Sequence, residues 1–439
     1  MTQTEQTQGS FNGLGIANNL LAILAQKGFH TPTPIQHQVI PEALNGKDVV
    51  GIAQTGTGKT LAFGIPMIQR LSRNKWQGLI LAPTRELALQ IEQSLKQIGT
   101  PLGLRCVAVI GGTSQSKQVS GLRNNPHIVI ATPGRLVDLM NQGIYKLKFV
   151  NTVVLDEGDR MLDMGFLPPI RRILGEIPKG RQTMLFSATM PKTISALASE
   201  FMQLPIRIEI APQGTSSENT EQEIFIVKKN DKMRLLDSVL QQNRNGLVLI
   251  FSRTKYGAKR IARDVRNMGH SSTEIHSNRS QSQRKIALDG FKNGKFRIMV
   301  ATDIASRGID VKNISLVINF DLPETSEDYV HRIGRTGRAG QRGKAISFVT
   351  PPERSDIRNI EKLIRKSLPV LALPTLPPER EKVHQEMPEE IQNQRSYGGR
   401  SQKNWSRGGN KQRQSGGQNR GRSSQRRGNR NNSQRRFSR

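Results

Sequence analysis

Cysteine is almost missing from this chain: Cys106 stands alone among 439 residues. An internal disulfide or a cysteine-cluster zinc site is therefore impossible, which fits a reducing compartment. A lone thiol of this kind reads as a small, buried, apolar-like group. Long apolar runs are missing too: none could span a bilayer, and residues 1–10 lack the basic start and apolar stretch of a secretory signal. These absences predict a soluble, cytoplasmic protein with no membrane partner. Acid is scarce as well, with 35 Asp and Glu against 66 Lys and Arg and a net charge of +31. That balance favours a polyanionic partner, with nucleic acid the first choice and a lipid surface the rival.

The length suits two α/β domains with appended sequence. Over residues 11–210 the runs KDVVGIAQ, GLILAPT, CVAVIGG, HIVIATP, TVVLDE and TMLFSAT alternate with helical patterns. Near-continuous apolar strands of this sort predict a mostly parallel sheet covered by helices on both faces, with ligands beyond the strands' carboxyl ends. Residues 1–10 read as a flexible start and the polar stretch 211–222 as a linker. A second lobe over 223–367 repeats the alternation with LVLIFSRT, RIMVATD, LVINFD and KAISFVT. Residues 368–394 form a proline-rich linker, and 395–439 an Arg/Gly/Ser/Asn/Gln tail.

Residues 53–60 read AQTGTGKT after the apolar DVVGI. Such a loop opening a helix leaves backbone N–H groups free for phosphates. Thr55, Gly56, Thr57 and Gly58 would form the cradle, Lys59 would meet the terminal phosphates, and Thr60 would offer its hydroxyl to Mg²⁺. The general motif begins with Gly where this chain has Ala53, so an ordinary Gly/Thr-rich turn is the alternative. A second apolar strand delivers Asp156-Glu157-Gly158-Asp159. Adjacent acids at a strand end suit Mg²⁺ ligation by Asp156 and activation of water by Glu157, the other reading being a solvated acidic turn. Taken with GKT, the acids point to ATP hydrolysis. HRIGRTGR at residues 331–338 sets three Arg among glycines that would break a surface helix. An Arg supplied from a second lobe stabilises charge developing in phosphoryl transfer, and Arg335 and Arg338 are the candidates.

With these motifs in order, residues 11–348 resemble the DEAD-box RNA helicases, and within them the bacterial RhlE-like group. The resemblance implies two RecA-like lobes, each a mostly parallel sheet flanked by helices, with ATP, Mg²⁺ and RNA as ligands. It places Phe29 near the adenine and Gln36 on the adenine edge, with Asp310 near the ribose and Arg307 organising the interlobe site. DEGD stands for the DEAD box, and Asp159 with Ser187 and Thr189 would couple hydrolysis to unwinding, although strand-end Ser and Thr also cap backbone groups. Pro83, Thr84, Arg85, Gly111, Gly112, Thr132, Pro133, Gly134 and Arg135 would line the RNA path on the first lobe. Arg253, Thr254, the pair Gln283 and Arg284, and Thr302 resemble motifs of the second lobe, with RNA contact expected from Arg253, Thr254 and Thr302. Contacts of these kinds to sugar and phosphate imply little sequence preference. Two departures stand out. Gly158 replaces the Ala of the box and is expected to loosen its coupling to Ser187 and Thr189. His276-Ser277-Asn278-Arg279 stands where relatives often carry a Gly-containing segment and is expected to modify RNA grip.

The tail holds 12 Arg and 2 Lys and no acid, hence +14 of the +31. Without aliphatic residues it cannot bury a core, which predicts disorder. Arg-Gly steps interleaved with Tyr397, Trp405 and Phe437 suit stacking on single-stranded bases, with Arg407, Arg426 and Arg427 on phosphates; a solubilising tail is the alternative. The combined expectation is a monomeric ATP-dependent RNA helicase that unwinds duplexes locally or remodels ribonucleoproteins, with ribosomal or RNA-decay proteins as partners. A DNA translocase and a non-enzymatic RNA clamp are the rivals, and the clamp would not need Lys59, Glu157 or Arg335.

Overall fold

Strands whose side chains are apolar on both faces must be covered on both faces, and parallel sheets with crossover helices meet that demand. The computed structural model describes residues 9–54, 56–72, 76–210, 220–306, 311, 313–337 and 342–378, the side chains of Ile304 and Ser306 excepted. Its first sheet is built from β1 (Val49–Ile52), β2 (Gln77–Leu81), β3 (Cys106–Val109), β4 (Ile128–Ala131), β5 (Val150–Asp156), β6 (Gln182–Ser187) and β7 (Ile206–Glu209). The second comprises β8 (Thr220–Ile226), β9 (Leu247–Phe251), β10 (Ser272–Ile275), β11 (Ile298–Ala301), β12 (Ile314–Asn319), β13 (Gly343–Val349) and β14 (Val370–Leu371).

The strand orders are β3-β4-β2-β5-β6-β1-β7 and β10-β11-β9-β12-β13-β8-β14, one topology used twice. Helices cover each sheet on both sides. Ile35, Phe63 and Ile91 pack with Phe186 on one face of the first sheet, while Leu136, Met161, Ile173 and Leu197 fill the other. In the second sheet Phe291, Tyr329 and Ile360 pack with Phe251 on one face, and Leu236, Ile261 and Phe348 on the opposite one. The expected α/β class, two parallel sheets flanked by helices, is therefore what the chain adopts.

Two boundaries differ from the sequence reading. β8 begins inside the stretch expected to be linker, because two of its inward positions are polar: Thr220 and Gln222 are buried, and Gln222 Oε1 accepts from the Tyr329 hydroxyl at 3.0 Å. At the other end, β14 lies beyond residue 367 and pairs with β8, while Leu376 packs against the core and Arg234 Nε donates to Pro377 O at 2.7 Å. Prolines are tolerated there because the strand is at the sheet edge. Most of the expected flexible start, most of the linker and the whole 395–439 tail lie outside the described residues. Among the described residues no helix is long and apolar enough to cross a membrane.

Asp48 fixes the strand that carries the phosphate loop. Its Oδ1 accepts from Thr183 N and its Oδ2 from Gln203 N, each at 2.7 Å, while its carbonyl accepts from Ile206 N at 2.8 Å. Burial pushes the Asp48 carboxyl up, and the two N–H donors and Arg181 oppose that rise. Asp48→Ala should lower stability by about 2–3 kcal/mol in urea denaturation, because both donors lose their acceptor. Asp48→Asn keeps one acceptor oxygen and should lose about half as much.

Candidate active site and nucleic-acid interface

β1 is buried along its length and runs into a loop whose last residue, Gly58, precedes the helix Lys59–Leu71. Gly58 has φ 91°, and a Cβ there would lie 2.3 Å from Gln36 Nε2, so glycine is required by both backbone and space. Gln36 is buried and acts as a strut: its Oε1 accepts from Thr33 N and its Nε2 donates to Gly58 O, each at 3.0 Å. Thr57 Oγ1 donates to Gln54 O at 2.8 Å. The Lys59 side chain is buried, and its ammonium donates to Ala53 O at 2.8 Å, so an incoming phosphate oxygen would compete with a carbonyl of the loop itself. Phe29 is half-buried against the same apolar core as Phe63. Gly56 has φ 90° and Thr60 sits in the first turn of the helix, whereas Thr55 lies outside the described residues.

Asp156 ends β5 and is buried; burial pushes its carboxyl up to about 7, with Lys59 pulling it down and Glu157 pushing it further up. Glu157 has φ 55°, a left-handed conformation that costs a non-glycine residue about 1–2 kcal/mol. Two contacts hold it there. Its N–H donates to Asp156 Oδ1 at 3.0 Å, and Arg160 Nη1 reaches both carboxylate oxygens at 3.0 and 2.9 Å. The Glu157 and Arg160 side chains are 5% and 1% exposed, so the pair is a buried one. Arg160 Nη2 has no hydrogen-bond partner among the described residues.

Asp159 links this acid cluster to the end of β6. Its N–H donates to Ser187 Oγ at 3.1 Å, and its Oδ2 accepts from Ala188 N, Thr189 N and Thr189 Oγ1 at 3.1, 2.8 and 3.0 Å. Burial alone pushes this carboxyl up, but His331, Arg160, Lys59 and the Thr189 N–H outweigh it and hold the group below its ordinary value. These bonds are made with Gly158 in place. A Cβ at Gly158 would lie 2.9 Å from Leu185 Cδ1 and 3.6 Å from Ile194 Cδ1, so the departure from Ala shows in the packing of β6 rather than in lost hydrogen bonds.

The second lobe reaches this cluster through His331, whose Nε2 lies 3.8 Å from Asp159 Oδ2. Arg332, next along the helix Ser326–Ile333, is taken up by its own lobe: it donates to Asp303 at 2.5 and 2.6 Å and to Asp321 O at 2.6 Å. Arg335 is buried and lines a cavity of about 10 Å³ together with Arg160, Asp303 and His331. Arg307, Asp310 and Arg338 lie outside the described residues.

The expected RNA residues collect at carboxyl ends of strands, where helices begin. Thr84 caps the helix Arg85–Gly99 by accepting from Leu87 N at 3.2 Å. Arg85 lies over Gly111 and Gly112; a Cβ on Gly112 would be 2.0 Å from its Nη1, and Gly112 has φ 72°. Thr132 precedes Pro133, Gly134 and Arg135 in the first turn of Pro133–Asn141, and Arg135 Nε donates to Gln118 Oε1 at 3.4 Å. Thr254 caps Lys255–Asn267 through Gly257 N at 2.9 Å, Arg253 pairs with Glu353 at 3.1 Å, and Thr302 follows β11. Exposed N–H groups at helix starts suit phosphates. Glu86 and Arg284 join the lobes at 2.8 Å. Arg407, Arg426 and Arg427 lie outside the described residues. The sequence assigned no individual role to Arg160, His331 or Glu86, the last two being noted only as parts of their motifs; Arg160 lies three residues after Glu157, which itself precedes the helix Gly158–Asp163.

A DEAD/DEAH box helicase family model matches residues 33–197, and a Helicase conserved C-terminal domain model matches residues 231–340. The chain is similar to the DEAD-box ATP-dependent RNA helicase CshA of Bacillus cereus, 40% identical over 386 residues, covering 88% of this chain and 74% of the relative. CshA of Bacillus subtilis is 40% identical over 369 residues, covering 84% and 75%. Among solved structures, Mss116p bound to ssRNA and AMP-PNP matches with TM-score 0.79 at 28% identity, over 85% of this chain and 82% of that one. S. cerevisiae Dbp5 bound to RNA and ADP BeF3 matches with TM-score 0.76 at 29% identity, over 82% and 95%.

Arg160→Met should cost about 3–5 kcal/mol in thermal or chemical denaturation, since it leaves the buried Glu157 carboxylate unpaired. Gly158→Ala gains about 1 kcal/mol of helix propensity against about 1–3 kcal/mol of crowding on a terminal methyl of Leu185, so its net change should stay within about 2 kcal/mol.

Proposed function

The chain belongs to the DEAD-box ATP-dependent RNA helicases, and from that premise we propose how its residues divide the work. It couples ATP hydrolysis to the unwinding or remodelling of RNA. The matched relatives carry the name CshA, and the RhlE-like placing within the family rests on the sequence motifs.

Lys59 and the N–H groups of residues 55–60 hold the phosphates, and Lys59 exchanges the Ala53 carbonyl for a phosphate oxygen. Phe29 and Asp310 hold the base and ribose, and Gln36 ties base recognition to the loop through Gly58. Asp156 and Thr60 supply oxygen ligands for Mg²⁺. The fit is supported by a buried carboxylate whose raised pKa a nearby cation would relieve. Among the described residues no cluster of three acids or histidines could hold a metal by itself, which suits an ion shared between one or two protein oxygens and phosphate. When bound, Mg²⁺ would neutralise charge on the phosphate oxygens. Glu157 orients and deprotonates the attacking water, while Arg335 and Arg338 approach from the second lobe to meet the developing negative charge.

The observation that carries this reading is the position of Asp159. Its carboxylate is bonded to residues 188 and 189 and lies 3.8 Å from His331 of the other lobe, so the end of β6 and the lobe contact share one group, two residues from Glu157. Pro83, Thr84, Arg85, Gly111, Gly112, Thr132, Pro133, Gly134, Arg135, Arg253, Thr254 and Thr302 grip the RNA backbone, with Arg407, Arg426 and Arg427 adding sequence-tolerant contacts from the tail. The chain works as a cytoplasmic monomer in its core function, and ribosomal or RNA-decay proteins are the proposed partners.

Steady-state ATPase should rise with single-stranded RNA and not with matched DNA. Glu157→Gln should lower kcat about 10²–10⁴-fold, and Arg335→Ala about 10³-fold or more. Equal stimulation by DNA would defeat the RNA reading. If the tail engages about 6–10 phosphates, RNA affinity should fall roughly 10³–10⁵-fold between about 50 and 200 mM salt. Deleting residues 395–439 should flatten that slope; an unchanged slope removes the tail from RNA binding.

A further inference from the structure

A buried ammonium must be compensated, because desolvation favours its neutral form. Lys232 is 4% exposed in the second lobe and opens the helix Lys232–Gln242, yet none of the work assigned above uses it. Burial lowers its pKa, against which Asp321 and Glu353 act. Its Nζ donates to Phe320 O at 2.8 Å and lies 3.6 Å from Asp321 Oδ1.

The repeated topology says where such a lysine comes from. β8 holds the place in the second sheet that β1 holds in the first, and β12 that of β5. Lys59 is the first residue of the helix after β1, and Lys232 the first of the α-helix after β8. Register extends the match: Leu155 pairs with Leu81 as Asn319 pairs with Phe251, so Asp156 and Glu157 correspond to Phe320 and Asp321, and Thr84 to Thr254. Thr84 and Thr254 cap their helices with the same bond, to the N–H three residues on. In the first lobe the lysine and acids flank a glycine-bearing loop open to phosphate. In the second the loop is Lys228-Lys229-Asn230-Asp231, without glycine, and the ammonium closes on the acid itself.

The other carboxylate oxygen of Asp321 is where this matters. Oδ2 accepts from Ser252 Oγ at 3.1 Å and from Arg253 N at 3.0 Å, so Lys232 and the Ser252-Arg253-Thr254 loop share one carboxylate. The Asp321 carbonyl accepts from Arg332, in the helix that leads to Arg335. We propose that Lys232 is a positioning residue for RNA binding, a phosphate-loop lysine reused to lock Asp321 and, through it, the Ser252-Arg253-Thr254 loop. The inference rests on the reading of Arg253 and Thr254 as RNA contacts.

The test is the ATPase of the full chain, titrated with single-stranded RNA at saturating ATP and with ATP at saturating RNA. Lys232→Met should raise half-saturating RNA about tenfold, equivalent to about 1.4 kcal/mol, and move half-saturating ATP less than about twofold. Adding Asp321→Asn should recover most of the RNA shift, because the amide oxygen still accepts from the loop and no carboxylate is left without its cation. Half-saturating RNA that stays put, or equal shifts for ATP and RNA, overturns the proposal. Should Lys232→Met fail to fold, Ser252→Ala cuts the same link from the loop side. It must raise half-saturating RNA and spare ATP, and any other result overturns the proposal. A wild-type chain without RNA stimulation would instead overturn the RNA reading on which this rests.

Discussion

The carboxylate of Asp159 is buried, and a buried anion is tolerated only when its lone pairs are met. Here they are met by the N–H groups of Arg160, Ala188 and Thr189 and by the Thr189 hydroxyl, with His331 beyond. The end of β5 and the end of β6 are therefore tied through that charge, and His331 of the second lobe adds a longer contact at 3.8 Å. Glu157 is held beside it by a second buried interaction. Its left-handed backbone persists because Arg160 grips both carboxylate oxygens, an instance of local strain stabilised by its surroundings at a working site.

The same chassis is used differently in the two lobes. Central strands β2 and β9 each end in a threonine-capped helix, presenting backbone donors that suit phosphates. The strands at the β1 position have diverged: β1 leads into glycines with positive φ, while β8 leads through a glycine-free turn to Lys232, which is bound internally. One lobe thus keeps an open cradle and the other has closed it. The topology that placed both lysines is unchanged, so the difference lies in the loop and in the strand-end residues, where Phe320-Asp321 stands in place of Asp156-Glu157.

Much of this was legible in the sequence because the relevant signals are local. Apolar runs marked β1 to β6, β9 and β11 to β13, since strands covered on both faces must be continuous in hydrophobicity. The acids and GKT were legible because their chemistry needs adjacent residues. β8 was not, since Thr220 and Gln222 fill buried positions with polar side chains whose partners, such as Tyr329, lie about a hundred residues away. A still longer separation, 198 residues, hid the pairing of Glu86 with Arg284. The sequence picked out Arg335 and Arg338 from the three arginines of HRIGRTGR, and the fold shows what occupies Arg332. Arg332 and Arg335 both line the cavity with Arg160 of the first lobe, but Arg332 is also bonded to Asp303 and Asp321 within its own lobe. The role of Gln36 as a strut for Gly58 was likewise invisible without the loop in three dimensions.

The lobe contacts also constrain how the machine is driven. Glu86 with Arg284 and Asp159 with His331 are largely buried pairs of titratable groups, at 8% and 11% and at 6% and 9% side-chain exposure. Burying such pairs returns little net free energy, because desolvation cancels most of the Coulomb attraction. Contacts of this kind specify the arrangement of the lobes without strongly favouring it. The free energy for bringing the lobes together must then come from ligands that bind the joined state better than the separated one. On the proposed reading ATP and RNA are those ligands, and two ligands that bias the same equilibrium must each raise the affinity of the other by the same factor. Weak lobe contacts combined with two ligands that share them thus couple ATP affinity to RNA affinity, and the arginines brought by the second lobe are what would carry that coupling into the rate.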